Sequence, residues 1–268
     1  MRILALGAHP DDLEIFVWGS LLAWRAMGAK LALVVVTDGA GGGQQGPEAL
    51  RRIRRAEAEA AAAERGAAPR FRDFPDGALM ADAALVAALR QVLAEVQPQL
   101  VVTHAPNDYH ADHRALSTAT SQAVNFAAPL LWADTMRGTG FAPTHWVDVS
   151  AHFDAKCAAI RAHASQDPER FVTAAVAQAT FRAGECNGGP ADRAEAFRFE
   201  PRFPFADIRP LLPPPPPVRP VVLRSDPAPK SAGSRTRCGG AGRGAEEAAG
   251  ADGRLGEGRG PPASLPDR

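Results

Sequence analysis

The sequence predicts a three-layer α/β fold with a mostly parallel sheet, followed by a tail that builds no core. Three observations carry this prediction. Continuously apolar runs at residues 3–6, 31–37 and 100–104 read as strands buried on both faces, the signature of a parallel sheet. Segments with apolar residues at helical spacing lie between them, and that alternation implies right-handed crossovers onto one sheet. Beyond Leu212 the chain turns to proline, and from Asp226 it is Gly, Pro, Arg, Ala and Ser with almost no aromatic or β-branched residues.

The first run ends at Gly7 and meets Ala8-His9-Pro10-Asp11-Asp12 before a helical pattern at residues 13–27. An imidazole and two carboxylates thus stand at the C-terminal end of a strand, where open α/β sheets place their ligands. His9 and Asp12 are three apart and share one side of a helical turn, while Asp11 projects to another. Helix initiation alone would explain an Asp and a Pro here, since Asp caps and Pro suits the first turn. Two adjacent acids after a histidine exceed what capping needs. They supply half of a hydrolytic metal site.

The second run closes in Asp38-Gly39-Ala40-Gly41-Gly42-Gly43 at the same edge. No G-x-G-x-x-G opens a helix in the first unit and no GK[ST] occurs, so the loop reads as a substrate-side loop whose glycines let backbone approach a ligand. Pro47 opens an Ala-rich helix running through residues 51–64 and closed by Gly66. Most of its charges read as a solvated face, with Arg54 the candidate for pointing into the cleft. Residues 71–74 suggest an edge strand, Pro75-Asp76-Gly77 a turn, and residues 82–96 an amphipathic helix.

After the third run comes the densest cluster, Asn107-Asp108-Tyr109-His110-Ala111-Asp112-His113-Arg114, leading into a helix at residues 115–124. Topology places it on the same rim as His9, and titratable groups crowded at a cleft are candidates for chemistry. Residues 145–149 read as a strand, 153–163 as a helix, and Ser165-Gln166-Asp167-Pro168 as the start of another. His104, His145 and His152 stand alone and read as structural; Cys157 and Cys186 read as small buried hydrophobes.

Composition narrows the classes. The 268 residues carry 30 basic and 30 acidic side chains, so bulk electrostatics points to no nucleic-acid or membrane-surface partner. No apolar run approaches the roughly 20 residues of a membrane span, and no secretory leader pattern is read. The three cysteines have no metal or disulfide spacing, which fits a reduced, cytoplasmic setting. The body is read as residues 1–212 and the tail, 213–268, as a segment unable to offset the entropy of ordering. Its contrast with the body motivates the hypothesis of a read-through or frame-shifted terminus.

Three ligands, an open position and a nearby carboxylate make a hydrolytic zinc site. His9, Asp12 and one of His110 or His113 supply the ligands and leave Asp11 free. His9-Pro10-Asp11-Asp12 paired with His110-Ala111-Asp112-His113 resembles the signatures of the LmbE-like (PIG-L) family of zinc-dependent N-deacetylases. Thr37-Asp38-Gly39, Arg54 with Glu57-Ala58, Pro75-Asp76-Gly77, His163-Ala164-Ser165-Gln166 and Ala194-Glu195-Ala196-Phe197 extend the resemblance over the body in the family's order.

The resemblance implies a Rossmann-like fold and removal of an acetyl or other acyl group from an N-acylated amino sugar. It implies His9, Asp12 and His113 as ligands of Zn2+ (or Fe2+), and Asp11 as the general base acting on the metal-bound water. His110, as imidazolium, would stabilise the oxyanion and protonate the leaving amine, and Asp112 would orient a histidine. Asp38, Arg54 and Asp108 are expected at the substrate, a small-molecule N-acyl amino-sugar conjugate. Where the family often carries a small, Gly-rich run, this chain has Phe16 and Trp18. With the loop at residues 136–141, they suggest a large, partly apolar acceptor. Two other readings compete: a metal-dependent amidase acting on a non-sugar amide, and a non-catalytic module binding a nucleotide or sugar nucleotide through residues 39–43.

Overall fold

Apolar runs without alternation belong inside a sheet covered on both faces. The structure, a computed structural model that describes residues 1–63 and 67–221, has that arrangement. Strands β1 (Arg2–Gly7), β2 (Lys30–Thr37), β3 (Pro69–Phe74), β4 (Leu100–His104), β5 (Leu130–Ala133), β6 (His145–Asp148) and β7 (Ala194–Phe199) form one sheet in the order β3-β2-β1-β4-β5-β7-β6. The first five strands run parallel, and β7 lies antiparallel between β5 and β6.

The helices are α1 (Asp12–Phe16), α2 (Trp18–Ala26), α3 (Pro47–Ala63), α4 (Ala83–Val96), α5 (Ala111–Val124), α6 (Phe153–Arg161) and α7 (Pro168–Glu185). Ile3 and Ala5 of β1 turn to one face, packing with Leu33, Leu100 and Val102 beneath α1, α2, α6 and α7. Leu4 and Leu6 turn to the other, with Val34, Val36 and Val101 beneath α4 and α5. Each such leucine, fully buried, contributes roughly 1.5–3 kcal/mol.

β1 is flanked by β2 on one side and β4 on the other, so the chain reverses its winding direction there. The C-terminal ends of β1 and β4 therefore frame the crevice in which folds of this kind bind ligands.

The structure departs from the sequence expectations at four places. The helix expected over residues 13–27 is two helices, broken at Val17 (φ −136°, ψ 4°). The amides of Gly19 and Ser20, exposed by that break, donate to the Glu195 carboxylate at 3.0 and 2.8 Å. A side chain from β7 thus caps α2, an arrangement local periodicity does not encode. The helix expected from residue 115 begins at Ala111, so Asp112 and His113 are helical. Strands β5 and β7 went unpredicted; β5 is four residues long and β7 mixes charged with aromatic residues. Past Leu212 the chain still lies against the body: Asp148 N donates to Pro214 O at 3.0 Å and Arg219 pairs with Asp192 at 3.0 Å. The end of α3 at Gly66 and the tail beyond residue 221 lie outside the described residues.

Candidate metal centre and active site

After Gly7 the chain turns tightly enough that the amides of Asp11 and Asp12 both donate to His9 O, at 3.0 and 3.2 Å. A Cβ on Gly7 would stand 3.1 Å from that of Asp12, a tight contact that a larger residue would have to relieve by shifting the turn. Asp11 takes φ 155° and ψ −18°, a conformation that side chains rarely tolerate. It forms no cap to α1. Instead its Oδ1 lies 3.2 Å from Arg54 Nη2, the one arginine of α3 that turns into the cleft. A capping role for Asp11 therefore fails.

The two clusters meet. His9 Nδ1 lies 3.3 Å from Asp12 Oδ2, His113 Nε2 lies 3.2 Å from Asp12 Oδ1, and the two ring nitrogens are 3.3 Å apart. Ligands about 2.0–2.1 Å from a tetrahedral zinc are separated from each other by about 3.3–3.4 Å; the two ring nitrogens stand at that spacing, and each meets a different oxygen of the Asp12 carboxylate. The chemistry of the donors agrees. Two imidazole nitrogens at that separation leave room for one proton between them, and the carboxylate beside them favours a cation. Two imidazoles and a carboxylate form a donor set typical of zinc.

Carboxylates stand behind both histidines. Asp112 Oδ2 and Asp76 Oδ1 each lie 3.2 Å from His9 Nε2, and Asp108 Oδ1 lies 3.1 Å from His113 Nδ1. Asp112 is itself held by the amides of Gly77 and Leu79, at 2.8 and 3.2 Å. Burial opposes the charged form of His9, yet Asp12, Asp112 and Asp76 outweigh it and push its pKa up to about 12. His113 behaves alike, with Asp12 and Asp108 overcoming burial to raise it to about 9. Asp12 moves the other way: burial works against its charge, but His113, His104 and His9 hold it well below the usual carboxylate range. The cluster is thus a strongly negative pocket around two imidazoles, an environment that attracts a cation.

Asp11 is buried, which raises its pKa to about 6 against the pull of Arg54. His110 ends the approach to α5, and its Nδ1 accepts from Asp112 N at 3.2 Å. Burial, His9 and His113 press its pKa down, and with Nδ1 accepting from the Asp112 amide, Nε2 is the ring nitrogen left to face a ligand. His9, Asp11, Asp12, His110, His113 and Arg54 all line one cavity of about 280 Å³.

Two residues expected at substrate have other work. Asp38 binds Arg51 Nη2 at 2.6 Å through Oδ2 and the amides of Ala40 and Asp76 through Oδ1, at 3.1 and 3.3 Å. It fixes the glycine loop and the Asp76 turn and does not line the cavity. Asp108 is spent on His113 and on the amide of His110, at 2.9 Å, and also lies off the cavity wall. Arg54 does line it, as expected. The Phe16 ring stands edge-on to His104 and His113 and forms part of the wall together with Ile15, Met136 and Phe171. Trp18 does not; it is buried in the core.

Sequence reasoning missed two residues. His104, read as a lone structural histidine, ends β4 with Nε2 3.1 Å from Asp12 Oδ2 and stacks on the His113 ring at 3.7 Å between centroids. Asp76 is expected as a turn residue and as part of a motif shared with the family, with no role at the metal. Its signal was the Pro-Asp-Gly motif, whereas nothing local distinguished His104.

The family described as PIG-L, GlcNAc-PI de-N-acetylase, matches residues 4–124, the stretch that carries both clusters. A diacetylchitobiose deacetylase of Thermococcus kodakarensis is 27% identical over 189 residues, 63% of this chain and 71% of that protein. A 1D-myo-inositol 2-acetamido-2-deoxy-alpha-D-glucopyranoside deacetylase of Mycolicibacterium vanbaalenii is 27% identical over 231 residues, 62% of this chain and 80% of that protein. Among solved structures, GalB, the 4-carboxy-2-hydroxymuconate hydratase of Pseudomonas putida KT2440, shares the fold with a TM-score of 0.64 at 23% identity, over 75% of this chain and 97% of that one. Fold and site together define a Rossmann-like α/β protein with a candidate His/Asp metal site at its switch point. Over residues 4–124 the chain is similar to the PIG-L family, and its listed curated relatives are N-deacetylases. No helix among the described residues is long and apolar enough to cross a membrane.

Proposed function

We propose that this chain is a zinc-dependent N-deacetylase that removes an acetyl or other acyl group from an N-acylated amino-sugar conjugate, with His9, Asp12 and His113 holding the ion. The observation that carries the reading is the close approach of the His9 and His113 ring nitrogens to each other and to the Asp12 carboxylate, with the carboxylate of Asp11 facing the same cavity. The substrate class rests on the relatives, whose names specify N-acetylated amino sugars. A zinc ion so held would lower the pKa of a water towards about 7 and polarise an amide carbonyl.

The remaining steps belong to the chain's own residues. Asp11, oriented by Arg54, takes the proton of the attacking water, and that proton is passed on to the amide nitrogen as the C–N bond breaks, releasing the amine and the carboxylate. His110 has its Nδ1 occupied by the Asp112 amide, so its Nε2–H is free to stabilise the carbonyl oxygen as negative charge develops there. Asp112 and Asp76 fix the ring of His9, Asp108 that of His113, and His104 braces Asp12. The cysteine pattern suits a cytoplasmic location.

Acetate release tests the reading directly. The purified chain is offered a panel of N-acetylglucosaminides and simple N-acetyl amines, with and without chelator. Release from the glucosaminides that chelator abolishes is expected. Activity indifferent to chelator would contradict the metal, and release from simple amines alone would favour the non-sugar amidase.

A further inference from the structure

One cavity-lining side chain has no part in the chemistry above. Gln166, in the loop between α6 and α7, is 8% exposed, and its carboxamide borders the cavity that holds His9, His113 and Arg54. Its surroundings decide which end of the amide faces inward. Glu57, one helical turn after Arg54 on α3, accepts twice from Ser165: from the amide at 2.8 Å and from the hydroxyl at 2.7 Å. A serine hydroxyl has a single proton, so once it is given to Glu57 the Ser165 Oγ offers only lone pairs. It accepts from Gln166 Nε2 at 3.1 Å. The amide is thereby polarised in one sense, with nitrogen towards Ser165 and Oε1 as the free end.

That free end has room. Gly42 separates Gln166 from the arginine: a Cβ there would stand 3.3 Å from Gln166 Oε1 and 2.8 Å from Arg54 Nη1. A side chain at position 42 would fill the gap between them, and glycine keeps it clear for a ligand. The pair presents an acceptor beside a guanidinium donor, a combination suited to a sugar hydroxyl, which both donates and accepts.

We propose that Gln166 Oε1 reads a hydroxyl of the substrate's sugar, and that Glu57, acting through Ser165, is the positioning residue that sets this polarity. The inference deepens the deacetylase reading and rests on it for the nature of the substrate. It also assigns α3 two tasks from adjacent turns, orienting the base through Arg54 and the specificity loop through Glu57.

Gln166→Leu and a set of N-acetylglucosaminides each lacking one ring hydroxyl test the proposal. Gln166→Leu should raise KM about tenfold on the full substrate while kcat and zinc content stay near wild type, the size of one neutral hydrogen bond. One deoxy substrate should lose the same factor with wild type and nothing further with the variant, because the two changes delete one interaction. Ser165→Ala should reproduce part of the KM effect, and Ser165→Thr, which keeps the hydroxyl, should restore it. Unchanged KM in Gln166→Leu, or losses that simply multiply for every deoxy substrate, would overturn the assignment while leaving the deacetylase reading intact. Should wild type release no acetate, that reading falls, and calorimetric affinity for a glucosaminide decides the matter. A tenfold weakening in Gln166→Leu then supports the proposal, and equal or absent binding in both proteins overturns it.

Discussion

At Asp11 two opposed influences define the base: burial raises its pKa to about 6, while the Arg54 guanidinium pulls it down. The result is a carboxylate ionised at neutral pH yet basic enough to accept a proton. Asp11→Asn keeps the shape and removes the base. Turnover should fall on the order of 10²-fold or more with bound zinc unchanged, as steady-state kinetics and metal analysis would report. Undiminished turnover would take Asp11 out of the role. At this scale the sequence was informative where spacing is short. His9 with Asp12, and His110 with His113, declare themselves within three residues, and the strand-end position of both clusters implies a common rim. It was silent where a partner comes from a distant strand. His104 meets Asp12 only because β4 pairs with β1 in the register that sets Val102 opposite Ala5, two residues short of His104 and Gly7. Asp38 and Asp108 looked like substrate contacts because an acid in a rim loop does not reveal which amide or imidazole it serves.

The elements around the site are held by buried charge. Glu195 caps α2 and pairs with Lys156 Nζ at 2.5 Å, both residues nearly inaccessible to solvent. Glu195→Ala would uncap the helix and strand the ammonium of Lys156 in the core. A loss of about 3–5 kcal/mol in unfolding free energy is expected from urea titration, and a loss below about 1 kcal/mol would contradict the account. On the loop that carries Gln166, His163 is buried against Glu14, at 3.5 Å. Burial opposes its charge, but Glu14 outweighs burial and raises the pKa above 6.5. A histidine with a raised folded pKa stabilises fully below its unfolded value and loses that contribution as pH rises through the folded one. His163→Gln should therefore cost more stability at pH 6 than at pH 9; equal cost at both would refute the pairing. None of these contacts was visible as periodicity, which is why one long helix was expected where α1 and α2 meet at Val17.

For the molecule as a whole, the sheet's parallel half was readable because its strands are apolar on both faces. Antiparallel β7, next to the far edge, was less so, since it carries Glu195 and Arg198 among its apolar residues. The composition beyond residue 221 offers too little apolar surface to build a core, and we propose that the body folds and functions without it. Truncation after Val221 should leave melting temperature and acetate release unchanged, and a fall in either would give the tail a structural part. The fold's central achievement is to bring residues a hundred positions apart in the sequence to one lip of the sheet. Metal analysis of the purified chain beside its His113→Ala variant tests that most directly. About one zinc per wild-type chain, lost from the variant while its fold persists by circular dichroism, is the result expected of a three-ligand site. Zinc held equally well by both proteins, or refused by wild type on reconstitution, would contradict it.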